Sequence, residues 1–130
     1  FKNVTLVQSA AGEIFDQMLR IGPGDVLVGI SFPRYSQIAV NAVRFARDRG
    51  ADVIAVTDSK MSPIYKMASA SLLVSSDMIS FVDSMAAPVS LLNALIMAVG
   101  QQKSEETAES FSELERVWSQ YGVFGDAEDE

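Results

Sequence analysis

Asp25-Val-Leu-Val-Gly-Ile30 and Asp52-Val-Ile-Ala-Val56 decide how the fold is read. Both stretches are short, β-branched and apolar on both alternations, the pattern of strands buried on both faces of a parallel sheet. Each runs into small polar residues, Ser31 in the first case and Thr57-Asp58-Ser59 in the second. Between them, the spacing of Ile38, Ala42, Phe45 and Ala46 predicts a helix over 33–49, with Pro33 in the first turn and Gly50 as its left-handed stop. Strand, helix and strand in alternation predict an α/β domain with a mainly parallel sheet. The loops after Ile30 and Val56 then meet at one sheet edge, where such domains take ligands.

Working outward, Val4-Thr-Leu-Val7 and Ala70-Ser-Leu-Leu-Val74 read as two further strands. Helices are expected over 11–19, ended by Gly22-Pro23-Gly24, over 62–68 with Ser62 as cap and Pro63 after it, and over 84–101. A last amphipathic helix over 105–120 carries Phe111, Leu114, Val117 and Trp118. That stripe, with the apolar helix bearing Ala86, Ala87, Leu91 and Leu95, offers more apolar surface than one thin sheet covers, which suggests a subunit interface.

Composition narrows the chemistry. The chain has 130 residues, a one-domain length, with 48% apolar and 21% charged residues, as in ordinary globular proteins. It has no Cys and no His, which removes disulfides, thiolate catalysis, most zinc sites and imidazole proton transfer. Residues 104–130 hold nine acids against Arg116 alone, a balance of −8, and the other 103 residues balance at +1. Acidity therefore belongs to the tail, and no basic face for duplex DNA exists in the body. No apolar run approaches the ~18 residues a membrane span needs, and no export leader is visible, so a cytoplasmic location without membrane contact is expected. Asp77 and Asp83 read as solvated charges, and Met61, Met67, Met78, Met85 and Met97 as fillers of core or interface gaps.

Ser31-Phe-Pro-Arg-Tyr-Ser36 joins a strand to a helix start, where backbone amides, the helix dipole, hydroxyls and Arg34 could converge on an anion. On composition alone the same residues read rather as a strand end, a first helical turn and a solvated guanidinium. In Thr57-Asp58-Ser59-Lys60-Met61-Ser62-Pro63, Thr57 and Ser59 either face a hydroxylated ligand as a second wall or belong to a plain turn. Ser62 reads as a helix cap.

Taken together, the 24–36 stretch, Arg49-Gly-Ala-Asp-Val-Ile-Ala-Val-Thr-Asp-Ser59, Ser62-Pro63, Ala87-Pro-Val-Ser-Leu-Leu-Asn-Ala-Leu-Ile96 and Leu114-Glu-Arg-Val-Trp-Ser-Gln-Tyr-Gly122 resemble the sugar isomerase (SIS) domain. More narrowly, they are similar to the effector half of RpiR-type bacterial transcription regulators. The resemblance implies a three-layer, flavodoxin-like sheet with helices on both faces, binding a phosphorylated sugar at the strand ends. It also implies a homodimer or tetramer, with DNA bound only through a helix-turn-helix domain outside these 130 residues. Residues 1–122 would form the sugar-phosphate-binding domain, lacking the family's first strand, loop and helix, and 123–130 an acidic tail. The absent strand would lie between Val4–Val7 and the Val26 strand, so these two strands pair directly or another subunit fills the gap.

The family's phosphate loop runs Ser-x-Ser-Gly-x-Thr-x-Glu. Here Ser31 matches the first Ser and Ser36 replaces the Thr, while Pro33, Arg34 and Ile38 stand where the second Ser, the Gly and the Glu are expected. The ligand-binding candidates are thus Ser31, Phe32, Arg34, Ser36, Thr57 and Ser59, with Arg34 replacing lost donor capacity. Without His or the loop carboxylate, no enzyme activity, cofactor or metal is expected. The expected role is effector sensing and oligomerisation in a regulator. The alternatives are an aldose–ketose sugar-phosphate isomerase and an assembly module whose pocket has decayed.

Overall fold

The computed structural model describes residues 3–8, 13–75 and 84–123. Its elements are α1 (Glu13–Gln17), β1 (Val26–Ile30), α2 (Gln37–Asp48), β2 (Asp52–Thr57), a 3-10 turn (Tyr65–Met67), β3 (Ala70–Leu73), α3 (Ala86–Gln102) and α4 (Ser104–Gln120). Residues 3–91 make one compact unit and those from Leu92 onward a second.

The sheet has three parallel strands in the order β1-β2-β3. Val28 lies opposite Ile54 and Gly29 opposite Ala55, while Ala55 in turn faces Ser71. This is the α/β architecture that the alternation of apolar runs predicts. Gly29 and Ala55 belong to the face on which α2 packs. A Cβ on Gly29 would stand 2.6 Å from Val43 Cγ2, so the close approach of α2 to β1 requires the missing side chain. Val40, Val43 and Ala46 of α2, Val53 and Ala55 of β2, Ile14 and Met18, and Ile64 below the 3-10 turn form one buried cluster. Phe15 meets Phe45 edge to face at 5.3 Å, and Arg49 stacks on Phe45 while donating to the Leu19 carbonyl at 2.9 Å.

Several boundaries differ from the sequence reading. The helix expected from Pro33 begins at Gln37, because Arg34 takes φ +70 and keeps Pro33–Tyr35 out of helical geometry. It ends as expected, with Gly50 at φ +83 and its amide on the Arg47 carbonyl. The Ser62 helix shrinks to the 3-10 turn, and the Ser62 hydroxyl caps nothing: Tyr65 N–H goes to the backbone carbonyl of Ser62 instead. Met61, Met85 and Met97 are exposed rather than fillers of a core, while Met67 packs on the buried cluster.

The largest departure lies at Val4–Val7, which form no strand. Val4 is 77% exposed and Leu6 73%, and only Val7 packs on the core. β-Propensity yields a strand only where a ladder partner exists, and among the described residues β1 pairs with β2 alone. Of the two expected arrangements, direct pairing of Val4–Val7 with β1 is absent. Among the described residues β1 is an edge strand, with Val26, Val28 and Ile30 of one face exposed by 56%, 41% and 43%. Asp77, Asp83, Met78, the start of the first predicted helix at 11–12 and the tail beyond 123 lie outside the described residues.

Candidate functional site

The loops after β1 and β2 leave the sheet side by side because the two strands are parallel and in register up to Ile30 and Val56. The pairing continues one residue further, with Ser31 N–H donating to the Val56 carbonyl at 3.1 Å. Thr57 Oγ1 then donates to the Ser31 carbonyl at 2.7 Å and lies 3.2 Å from Asp58 Oδ1. Ser31 and Thr57 are both buried, and the Thr57 hydroxyl holds the two loops together. Having one proton, it is committed to the protein, which leaves it only acceptor capacity towards a ligand.

Ser36 occupies the cap position of α2 with extended geometry (φ −63, ψ 121) but makes no side-chain cap hydrogen bond. No acid sits in the first turn of α2. The first amides of a 12-residue helix are thus left without the two side-chain partners that ordinarily neutralise them. Arg34, exposed, precedes this helix start by two residues and sits in the left-handed region, a conformation that disfavours a side chain with a Cβ. It stands at the very position where the phosphate-loop pattern has Gly. Phe32 is partly buried, and the Ser59 hydroxyl accepts from Met61 N–H at 3.2 Å. Ser31, Phe32, Arg34 and Ser36 therefore share one loop, and Thr57 and Ser59 the neighbouring one.

Two residues that sequence reasoning passed over complete the arrangement. Tyr35 Oη donates to Asp58 Oδ1 at 2.9 Å and so joins the two loops a second time. That hydrogen bond to Asp58, followed by burial, raises the phenol above its ordinary range, while the Ser59 and Ser62 hydroxyls pull the other way. Only the pairing of β1 with β2 places Tyr35 beside Asp58, so no local sequence signal marks the pair. Among the described residues no cluster of three or more metal-ligating side chains exists, and no helix is long and apolar enough to cross a membrane.

Two polar loops are thus crosslinked at the ends of parallel strands, one of them opening into a helix without a side-chain cap. The SIS domain family model matches residues 2–98, and the chain belongs to that family. An uncharacterized HTH-type transcriptional regulator of Caldanaerobacter subterraneus subsp. tengcongensis is 30% identical over 100 residues, covering 74% of this chain and 36% of that protein. The sugar isomerase domain of an RpiR transcription factor from Sphaerobacter thermophilus superposes with a TM-score of 0.75 at 24% identity, over 87% of this chain and 62% of that one. A hypothetical protein of known crystal structure matches with a TM-score of 0.57 at 30% identity, over 70% of this chain and 56% of the other. The chain thus spans about a third of the curated relative, and the likeness to the RpiR domain speaks to the fold.

Proposed function

We propose that this chain is the effector-sensing and oligomerising part of a sugar-responsive transcription regulator, and that it binds a phosphorylated sugar at the start of α2. The observation that carries this reading is the uncapped α2 terminus without a first-turn acid, preceded by Arg34 in left-handed backbone. Strained backbone clusters at functional sites, and a guanidinium together with helix-start amides suits a dianionic phosphate. Ser31, Phe32 and Ser36 belong to the same seat, and Thr57 and Ser59 to its second wall. The likeness to regulators supports the role. The absence of His and the presence of Ile38 where the family's carboxylate stands support sensing over isomerisation.

In this reading the exposed stripe of Phe111, Leu114 and Val117 on α4 meets a second copy to form a homodimer or tetramer. Sugar phosphate shifts the arrangement of subunits in the cytoplasm, and a separate helix-turn-helix domain carries that shift to DNA. Calorimetry and thermal shift of the full-length protein against a sugar-phosphate panel test it. Saturable binding is expected, weakened about tenfold by Arg34→Ala, the worth of a charge-assisted hydrogen bond. Silence across the panel, or turnover in a coupled isomerase assay, would overturn it.

A further inference from the structure

The sequence accommodates an α2 one turn longer than the observed helix. Pro33 suits a first helical turn, where its missing amide costs nothing, and the proline ring keeps Phe32 extended and so limits any growth beyond. α2 begins at Gln37 instead, with Arg34 at φ +70 and Ser36 in extended geometry (φ −63, ψ 121) blocking the extra turn. A left-handed residue with a Cβ persists only where its surroundings hold it. Here both ends of the loop are fixed. Ser31 is buried and tied to β2 by its amide and its carbonyl, and the Ser36 carbonyl accepts from Val40 N–H at 3.0 Å. Between them Tyr35, the neighbour of Arg34, donates to Asp58 Oδ1 at 2.9 Å, an acceptor that lies 3.2 Å from Thr57 Oγ1 at the end of β2. Turning Arg34 into the helical region rotates the chain that carries Tyr35 and takes the phenol off Asp58. A hydrogen bond to a carboxylate and the cost of a left-handed side chain are of the same order, so this bond decides between the two conformations.

The choice between them sets what the start of α2 offers. With the helix beginning at Gln37, the amides of Gln37, Ile38 and Ala39 have no carbonyl one turn back inside the helix. In the longer helix the carbonyls of Pro33, Arg34 and Tyr35 take up those three amides. We propose that the Tyr35–Asp58 hydrogen bond is a clasp that holds α2 one turn short and keeps its first amides open, and that its release lets α2 grow back to Pro33 and close them. The consequence for binding rests on the reading of the α2 start as the phosphate seat. An anion that uses those amides binds the clasped form alone, so it favours the short helix. Its apparent affinity falls with the fraction of molecules that are unclasped.

The experiment is residue-resolved amide hydrogen exchange on the full-length protein, joined to calorimetry with inorganic phosphate. In Tyr35→Phe the amides of Gln37, Ile38 and Ala39 should exchange at least about tenfold more slowly than in the unaltered protein, because they gain helical partners. Phosphate should bind about tenfold more weakly to the same variant. Asp58→Ala should slow the same three amides. A bond that only braces the loop gives the reverse, faster exchange once it is cut. Combining Tyr35→Phe with Arg34→Gly should restore fast exchange, since glycine takes the left-handed geometry without cost and disfavours the added turn. Unchanged or faster exchange in Tyr35→Phe would overturn the clasp, and equal phosphate binding by both proteins would then leave the phosphate seat standing. Slowed exchange in Tyr35→Phe beside an unaltered protein that binds no phosphate would uphold the clasp and remove the seat.

Discussion

The hydroxyl of Thr57 donates to the carbonyl of Ser31 across 2.7 Å, inside the protein, between residues 26 positions apart. Through it, the end of β2 fixes where the loop after β1 departs, and so where the α2 start lies. Replacing Thr57 by Val keeps the shape and removes the proton, leaving a buried carbonyl without its donor. We expect a loss of about 1–3 kcal/mol in urea unfolding, accompanied by weaker phosphate binding. An unchanged midpoint would mean that the loops are positioned by other contacts.

Gly29 and Val43 define how closely α2 approaches the sheet. Gly29→Ala forces a methyl group towards Val43 Cγ2 and should cost about 1–3 kcal/mol by overpacking. Val43→Ala opens a cavity by itself, yet it makes room for that methyl. The double variant should therefore be more stable than the sum of the two single losses by at least about 1 kcal/mol, a coupling that a double-mutant cycle measures directly.

At Arg34, stability and the proposed binding should pull in opposite directions. Arg34→Gly relieves the φ +70 strain and should raise stability by about 1 kcal/mol. The same change removes the guanidinium and should weaken sugar-phosphate binding. Equilibrium unfolding and calorimetry on one preparation read both effects. A less stable variant with intact binding would reverse the argument.

The hydrogen bond from Tyr35 to Asp58 has a pH signature. Its phenol ionises above its ordinary range in the folded chain, chiefly because it donates to Asp58. The folded state then holds its proton where the unfolded chain has released it. The stabilisation is complete below pH 10.0 and is lost as pH rises through the folded value. Asp58→Asn should bring the ionisation down, as read by the ultraviolet difference between each protein and its Tyr35→Phe counterpart.

Phe111, Leu114 and Val117 recur at three-residue spacing along α4, with their side chains exposed. Phe111→Ser with Leu114→Ser should lower the assembled mass seen by light scattering. Surface changes of this kind shift stability little, within about 0.5 kcal/mol, in an isolated chain. An unaltered mass would remove α4 from the interface.

Much of the fold was legible in local pattern. β1, β2 and β3 follow from short apolar runs, and α3 and α4 from helical periodicity, each within a few residues of its observed bounds. The residues of the candidate phosphate loop could be named because a strand, a polar hexapeptide and an amphipathic helix are adjacent in the chain. The α2 start was misplaced, since Pro33 suits a first turn but the left-handed Arg34 that follows it bars one. Val4–Val7 misled because strand propensity says nothing about whether a neighbouring strand exists.

By itself the sequence determined the three strands of the sheet, the helix between the first two, and which loop follows which strand. Those properties depend on neighbours within a turn or two, so composition and period encode them. Only the tertiary structure decided that Tyr35 meets Asp58, that Thr57 is committed to Ser31 and that, among the described residues, β1 is left as an edge. These depend on strand register and on residues more than twenty positions apart, where a shift of one residue turns every side chain to the opposite face.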